Sequence, residues 1–226
     1  MRQNILQILS ILFLLASCQQ EEIPGESDNV GYLSLAGFEL SNGIEAEPLT
    51  KAVDKSLTVR ITGVSDAQYD TTFAAGTAPE RIELAAGEYT VKAYTEGYET
   101  ATDAPSYCSE DTQVTIKAGE IAAIRMTVPM YNVGITATFP DNIGEWFTSY
   151  SIALSYNGKE ATLNETTSTA YFLPAATATA LTYTLKAENS DSEQQSKKVT
   201  TDIPKGGMYN ITFELGASGE TTEASN

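Results

Sequence analysis

Two thiols, thirty carboxylates, twelve phenols and one indole are the side chains of this 226-residue chain with chemistry to offer, and no imidazole stands among them. Without His the chain lacks the commonest general base, the usual partner of a Ser or Cys nucleophile, and the commonest metal ligand. A glycosidase needs two carboxyls held about 5 to 10 Å apart across a cleft. Glu80 with Glu83, and Glu188 with Asp191, are the groupings that come nearest, and both read as solvated strand or loop faces. The run from Glu188 to Glu193 has oxygens that a hard cation takes, but not the Gly-anchored pattern of a calcium loop. The sequence therefore predicts a protein that is not an enzyme, with no catalytic residues, no metal and no cofactor.

The aromatic residues leave more open. Trp146 is followed by Phe147, with Tyr150 three residues further on. Rings standing in a loop stack on sugars, so Trp146, Phe147 and Tyr150 are candidate ligand-stacking residues. The competing reading makes Trp146 or Phe147 a plug that closes the end of a sandwich. Tyr94, Tyr98 and Tyr107, around Glu96-Gly97, form a second candidate rim, although Tyr is frequent on edge strands.

The elements that would position these groups begin with a targeting segment. Arg2 precedes an apolar run from Ile5 to Ala16, too short to span a bilayer, which needs about 20 residues, but right for the core of a signal peptide. It closes on Leu15-Ala16-Ser17-Cys18, which resembles the lipobox of bacterial lipoproteins. The resemblance implies a signal peptide over residues 1–17 and a lipid on the Cys18 thiol. Each buried methylene of an acyl chain contributes about 0.8 kcal/mol, so two or three chains anchor the body without a spanning segment. Gln19-Gln20-Glu21-Glu22 is similar to the acidic stretch that sends lipoproteins of Bacteroides-type bacteria to the outer face of the outer membrane. With Cys18 lipidated, Cys108 has no partner, and the fold must be held by its core. A chain of this size manages that, since such domains bury about 70% of their unfolded surface. The net charge of −17 excludes long-range attraction to nucleic acid or to anionic headgroups.

Beyond an acidic tether at 18–29 the hydrophobic period is two. Leu33, Leu35 and Gly37 alternate with Tyr32, Ser34 and Ala36; Leu57, Val59 and Ile61, then Tyr89, Val91 and Ala93, do the same with polar neighbours. This is the pattern of antiparallel sheets with one covered face. Asn157-Gly158, between 151–156 and 159–163, predicts a type I′ hairpin, and residues 142–149 predict one turn of helix. An approximate repeat sets Leu57–Ile61 against Ser151–Ser155, Tyr89–Ala93 against Tyr183–Ala187 and Val114–Val128 against Val199–Leu215, at offsets of roughly 85 to 95 residues. The expected fold is all-β, with two tandem immunoglobulin-like or transthyretin-like sandwich domains at 30–130 and 131–216 and a disordered polar tail at 217–226.

Several segments in order resemble one family. They are the lipobox, the opening strand Gly31 to Leu35, Leu49-Thr50-Lys51-Ala52, the run Ile82 to Ala93, Asp103-Ala104-Pro105, and Val114 to Glu120. Together they are similar to the Bacteroidales lipoproteins of the domain-of-unknown-function 4493 family and, more loosely, to the two-domain transthyretin-like fimbrillins of the same bacteria. The departure from the pattern is Ser106-Tyr107-Cys108-Ser109. The resemblance implies fold and address rather than a reaction. It also makes Lys51 a candidate protease-processing site, since fimbrillin-like proteins carry a cleaved basic residue there. The function expected is a non-enzymatic, surface-exposed lipoprotein that acts as a structural or interaction module. The alternatives are a carbohydrate-binding accessory lipoprotein, with glycan as partner, and a subunit or anchor of a fimbria-like adhesive assembly, with protein as partner.

Overall fold

The computed structural model describes residues 29–41, 56–64, 68–177, 179–203, 205–215 and 221–223. Residues 1–17, Cys18, most of the tether and Lys51 lie outside them. Seven strands make up the first part of the chain: β1 (Val30–Ser41), β2 (Thr58–Val64), β3 (Asp70–Phe73), β4 (Arg81–Ala85), β5 (Gly87–Tyr94), β6 (Thr112–Ile116) and β7 (Ile121–Pro129). They form a sheet β4-β1-β7 and a sheet β3-β2-β5-β6. The second part begins with β8 (Val133–Thr138) and the short α1 (Ile143–Trp146). It continues with β9 (Ser149–Tyr156), β10 (Lys159–Leu163), β11 (Thr169–Phe172), β12 (Thr179–Glu188), β13 (Gln194–Ile203), β14 (Gly207–Leu215) and β15 (Thr221–Glu223). Its sheets are β11-β8-β14-β15 and β10-β9-β12-β13. With β15 set aside, the strand order of the first seven is repeated, including the parallel pairing of first strand with last, β1 with β7 and β8 with β14.

Each set of seven has its own apolar core. Leu33, Phe38, Ile61, Tyr89, Val91 and Val128 are among the buried residues of the first, and Ile135, Ile152, Leu154, Leu181, Tyr183 and Phe213 among those of the second. The all-β reading thus holds, and the alternating residues are those that the two sheets of each set close upon. One detail differs. In β1 the register shifts between Leu35 and Gly37, so Phe38, opposite Met126, takes the core position expected of Gly37. An extra residue in one strand reverses the parity of all that follows it.

Parity also corrects the repeat. Tyr89 faces Val114 and Tyr183 faces Val199, as the repeat requires. Val91, however, faces Ile61, whereas its counterpart Leu185 faces Ile152. Ile61 therefore corresponds to Ile152 and not to Ser155. An alignment three residues off sets inward side chains against outward ones, and Thr- and Ser-rich strands carry too little signature to reveal the slip.

The hairpin forms as its turn chemistry dictates: Asn157 and Gly158 have φ of 50° and 72°, both positive as a type I′ turn requires. In the segment expected to be a disordered tail, Thr221–Glu223 instead pairs antiparallel with Phe213–Leu215. The outer edge of β14 offers unpaired backbone groups, and three extended residues are enough to satisfy them.

Only Met130, Tyr131 and Asn132 separate β7 from β8, and the long β5–β6 connection closes over them. Asn132 is fully buried. Its Oδ1 accepts the Ser106 N–H at 3.0 Å, while its Nδ2 donates to the carbonyls of Ala101 (3.1 Å) and Ala104 (2.8 Å). The Tyr131 N–H donates to the Ser106 carbonyl at 2.6 Å, and the Cys108 N–H to that of Pro129 at 3.0 Å. Ser109 is also buried, its Oγ accepting the Ala93 N–H at 3.0 Å. The segment that departs from the family pattern is thus a polar clasp in which the buried backbone groups find partners.

Candidate functional site

The aromatic residues singled out in sequence divide by their exposure. Phe147 is buried and packs with Ile143 and Ala187, flanked by Phe139, Tyr150 and Leu215. It plugs that end of the second core. Trp146 points the other way and is 51% exposed. A single turn of helix produces the split, since consecutive helical residues lie on different sides. Tyr150 is half-buried, with its ring 4.8 Å from that of Phe139 and its hydroxyl donating to the Glu165 carboxylate. This hydrogen bond, with burial and the Glu165 charge behind it, pushes the phenol up to about 12.

An open groove of about 500 Å³ lies beside this end, across β9, β12 and β13, with Tyr150 on its wall. Strand register fixes its layout. One row runs across Ser149, Glu188 and Gln194, and the next across Ser151, Lys186 and Ser196. Asn164, just past the end of β10, adds an amide. Its Oδ1 is turned into its own loop, where it accepts the N–H groups of Thr166 and Thr167, which leaves Nδ2 as its offering to the groove. Glu188 accepts from Gln194 at 3.4 Å. Its backbone carbonyl holds the hydroxyl of Thr148 at 3.1 Å and the N–H of the same residue at 2.8 Å. Thr148 thereby ties the segment that follows α1 to the end of β12.

These lining residues were missed in sequence because the outward half of an alternating strand reads as a solvated face. A usable signal was present: the outward positions of three neighbouring strands carry mostly Ser and Thr, with Lys186 and Lys198 alongside Glu188 and Asp202.

The tyrosine rim forms a cluster over the clasp. Tyr98 lies 5.6 Å from Tyr94 and 4.8 Å from Tyr131, and the Lys92 ammonium sits 5.8 Å from its ring centre. Its phenol is pushed up, first by its hydrogen bond with Cys108, then by burial and by Glu99. Cys108 itself is half-buried. A second cavity, about 580 Å³, lies between β10 and β11, with Tyr156, Tyr171 and Phe172 on its apolar side and Thr102, Asn157 and Lys159 at its rim.

Of the carboxylates considered for catalysis, Glu80, Glu83 and Asp191 are exposed and Glu188 is half-buried. Glu80 and Glu83 lie on the solvent side near β4. In the loop after β12, the Asn189 side chain organises the chain, its Oδ1 accepting the N–H groups of Asp191 and Glu193 and its Nδ2 donating to the Glu193 carboxylate at 2.9 Å. Among the described residues no three His, Cys, Asp or Glu side chains converge as metal ligands, and no helix is long and apolar enough to cross a membrane.

A candidate cell adhesion protein from Bacteroides uniformis is similar at 14% identity over 88% of this chain and 98% of that one, with a TM-score of 0.45. Candidate polysaccharide binding proteins from Bacteroides thetaiotaomicron are similar at 10% identity over 88% and 99%, also with a TM-score of 0.45. A candidate adhesin from Bacteroides ovatus is similar at 9% identity over 87% and 93%, with a TM-score of 0.43. No curated protein matches the chain. A family profile matches residues 29–226, which take in all of the described residues, and the chain belongs to that family, described as Domain of unknown function (DUF4493).

Proposed function

We propose that this chain is a non-enzymatic lipoprotein of the outer membrane, anchored through Cys18 and facing outward, that works as an interaction module. Its two sandwich domains, 30–130 and 131–216, meet at Met130–Asn132. The observation that carries the reading is the groove across β9, β12 and β13: open and lined largely by hydroxyls and amides, with an exposed Trp146 in the segment that leads into β9. A wide, shallow, polar surface holds a ligand by many weak contacts and does little to exclude water, which suits recognition better than chemistry.

Carbohydrate is the contact this surface favours. Sugar hydroxyls exchange hydrogen bonds with Ser, Asn and Gln side chains, and the apolar face of a pyranose stacks on an indole. The experiment is a glycan array with the mature chain and its Trp146→Ala variant, alongside protease shaving of intact cells. Glycan binding that Trp146→Ala abolishes with Tm unchanged supports the reading. If no glycan is retained and the chain survives shaving of unbroken cells, the reading fails. A fimbria-like role would show instead as laddered oligomers on cross-linking of whole cells. Cleavage at Lys51 belongs to that second reading, and limited proteolysis that leaves Lys51 uncut removes it.

A further inference from the structure

We infer that the groove across β9, β12 and β13 takes an acidic polysaccharide, one that carries carboxylate or sulfate groups; this rests on the carbohydrate reading above and specifies its ligand. The lining offers donors from all three strands. Lys186 contributes an ammonium, Asn164 an Nδ2 group, and Ser149, Ser151 and Ser196 hydroxyls. The carboxylate among the lining residues, Glu188, already accepts from Gln194. A surface of donors calls for a ligand rich in acceptors.

The lysines give the sign. Lys186 lies opposite Ser196, and Lys198 lies two residues further along the same face of β13. The two are diagonal neighbours, with Cβ atoms about 7 Å apart, a separation at which like charges repel. Among the described residues neither of the two has an ion-pair partner. Thirty carboxylates against thirteen cations would supply partners more than twice over if the fold placed them there. On that face Thr184, Ser151 and Ser196 border the two lysines, together with a carboxylate, Glu188, two residues from Lys186. An anion supplied from outside relieves the repulsion. The groove is open and about 500 Å³ in volume, so a polymer can lie across it without its end having to enter. Trp146 lies three residues before Ser149 in the chain, and its exposed indole is available to a sugar ring.

The test is binding of the whole mature chain to immobilised polygalacturonate, chondroitin sulfate and neutral dextran at low and moderate salt, with Lys186→Gln/Lys198→Gln and Lys92→Gln variants. We expect retention on one or both acidic polymers, weakened at higher salt as a screened charge contact must be. The double variant should bind at least tenfold more weakly with Tm unchanged, while Lys92→Gln, in the first half, binds as wild type. Preference for polygalacturonate identifies a carboxylate ligand and preference for chondroitin sulfate a sulfated one. Binding of dextran alone overturns this inference and leaves the carbohydrate reading standing. Acidic binding that the double variant does not weaken also overturns it, by moving the site elsewhere. Binding to none of the polymers, with no signal on the glycan array, overturns both.

Discussion

Replacing Asn132 by Ala removes two donors and one acceptor at a position with no exposed surface. The Ser106 N–H, itself buried, is left without its 3.0 Å partner, and the carbonyls of Ala101 and Ala104 lose theirs. A hydrogen bond contributes about 1 kcal/mol net, and an orphaned buried donor costs about 1–3 kcal/mol. Asn132→Ala should therefore destabilise by about 3 to 5 kcal/mol, a large share of the roughly 5–15 kcal/mol that holds a domain together. Asn132→Asp is the sharper probe. It keeps the size and the acceptor but turns a second oxygen toward two carbonyls and brings a charge into a buried site, so at pH 7 it should be worse than Ala. Burial raises the folded-state pKa of the introduced carboxyl above its unfolded value. The deficit relative to wild type is then greatest above that folded pKa and shrinks as pH falls and the group takes up a proton. Urea unfolding followed by far-UV circular dichroism measures both variants. Amide hydrogen exchange should show protection lost across residues 95–109 before it is lost in the strands. A cost below about 1 kcal/mol for Ala, or an Asp variant no worse than Ala at pH 7, would refute the assignment of Asn132 as the clasp.

Two further outcomes follow from local geometry. A Cβ on Gly31 would sit 2.2 Å from the Lys117 carbonyl oxygen and 2.8 Å from Ile116 Cγ2, so Gly31→Ala must displace the backbone of the β6–β7 turn. It should cost about 3 kcal/mol in urea unfolding, whereas Gly144→Ala, which meets nothing within 4 Å, should be neutral or slightly stabilising. The Tyr150 phenol should titrate near 12 in the folded protein. Its folded pKa exceeds the unfolded value of about 10, so the stability it contributes is complete below pH 10 and is lost as pH rises toward 12. Glu165→Gln should bring the Cζ NMR titration of Tyr150 back toward 10, and an unchanged midpoint would show that Glu165 is not the cause.

What could be read along the chain was whatever a residue and its near neighbours decide. Alternation placed Val59, Ile61, Tyr89 and Val91 in the core, and Asn157-Gly158 dictated a turn that needs two positive φ values. The order of the elements was legible enough to expose a repeat. Its register was not, because matching Ile61 to Ile152 depends on which residues face Val91 and Leu185 across the sheet. The bulge that carries Phe38 into the core is equally silent, since a shift of one residue leaves composition unchanged.

The groove and the clasp were decided only by the tertiary structure. Lys186 and Lys198 are close because β12 and β13 pair at one register, and Ser149 and Ser151 join them because β9 lies on the other side of β12. Asn132 is a lone polar residue in sequence, and the fold alone brings Ala101, Ala104 and Ser106, nearly thirty residues away, to its amide. Periodicity and turn propensity are set by backbone sterics within a few residues. A binding face is set by strand pairing between segments far apart in the chain, where the energy that selects the register comes from the buried side of the sheet and leaves the exposed side free to carry function.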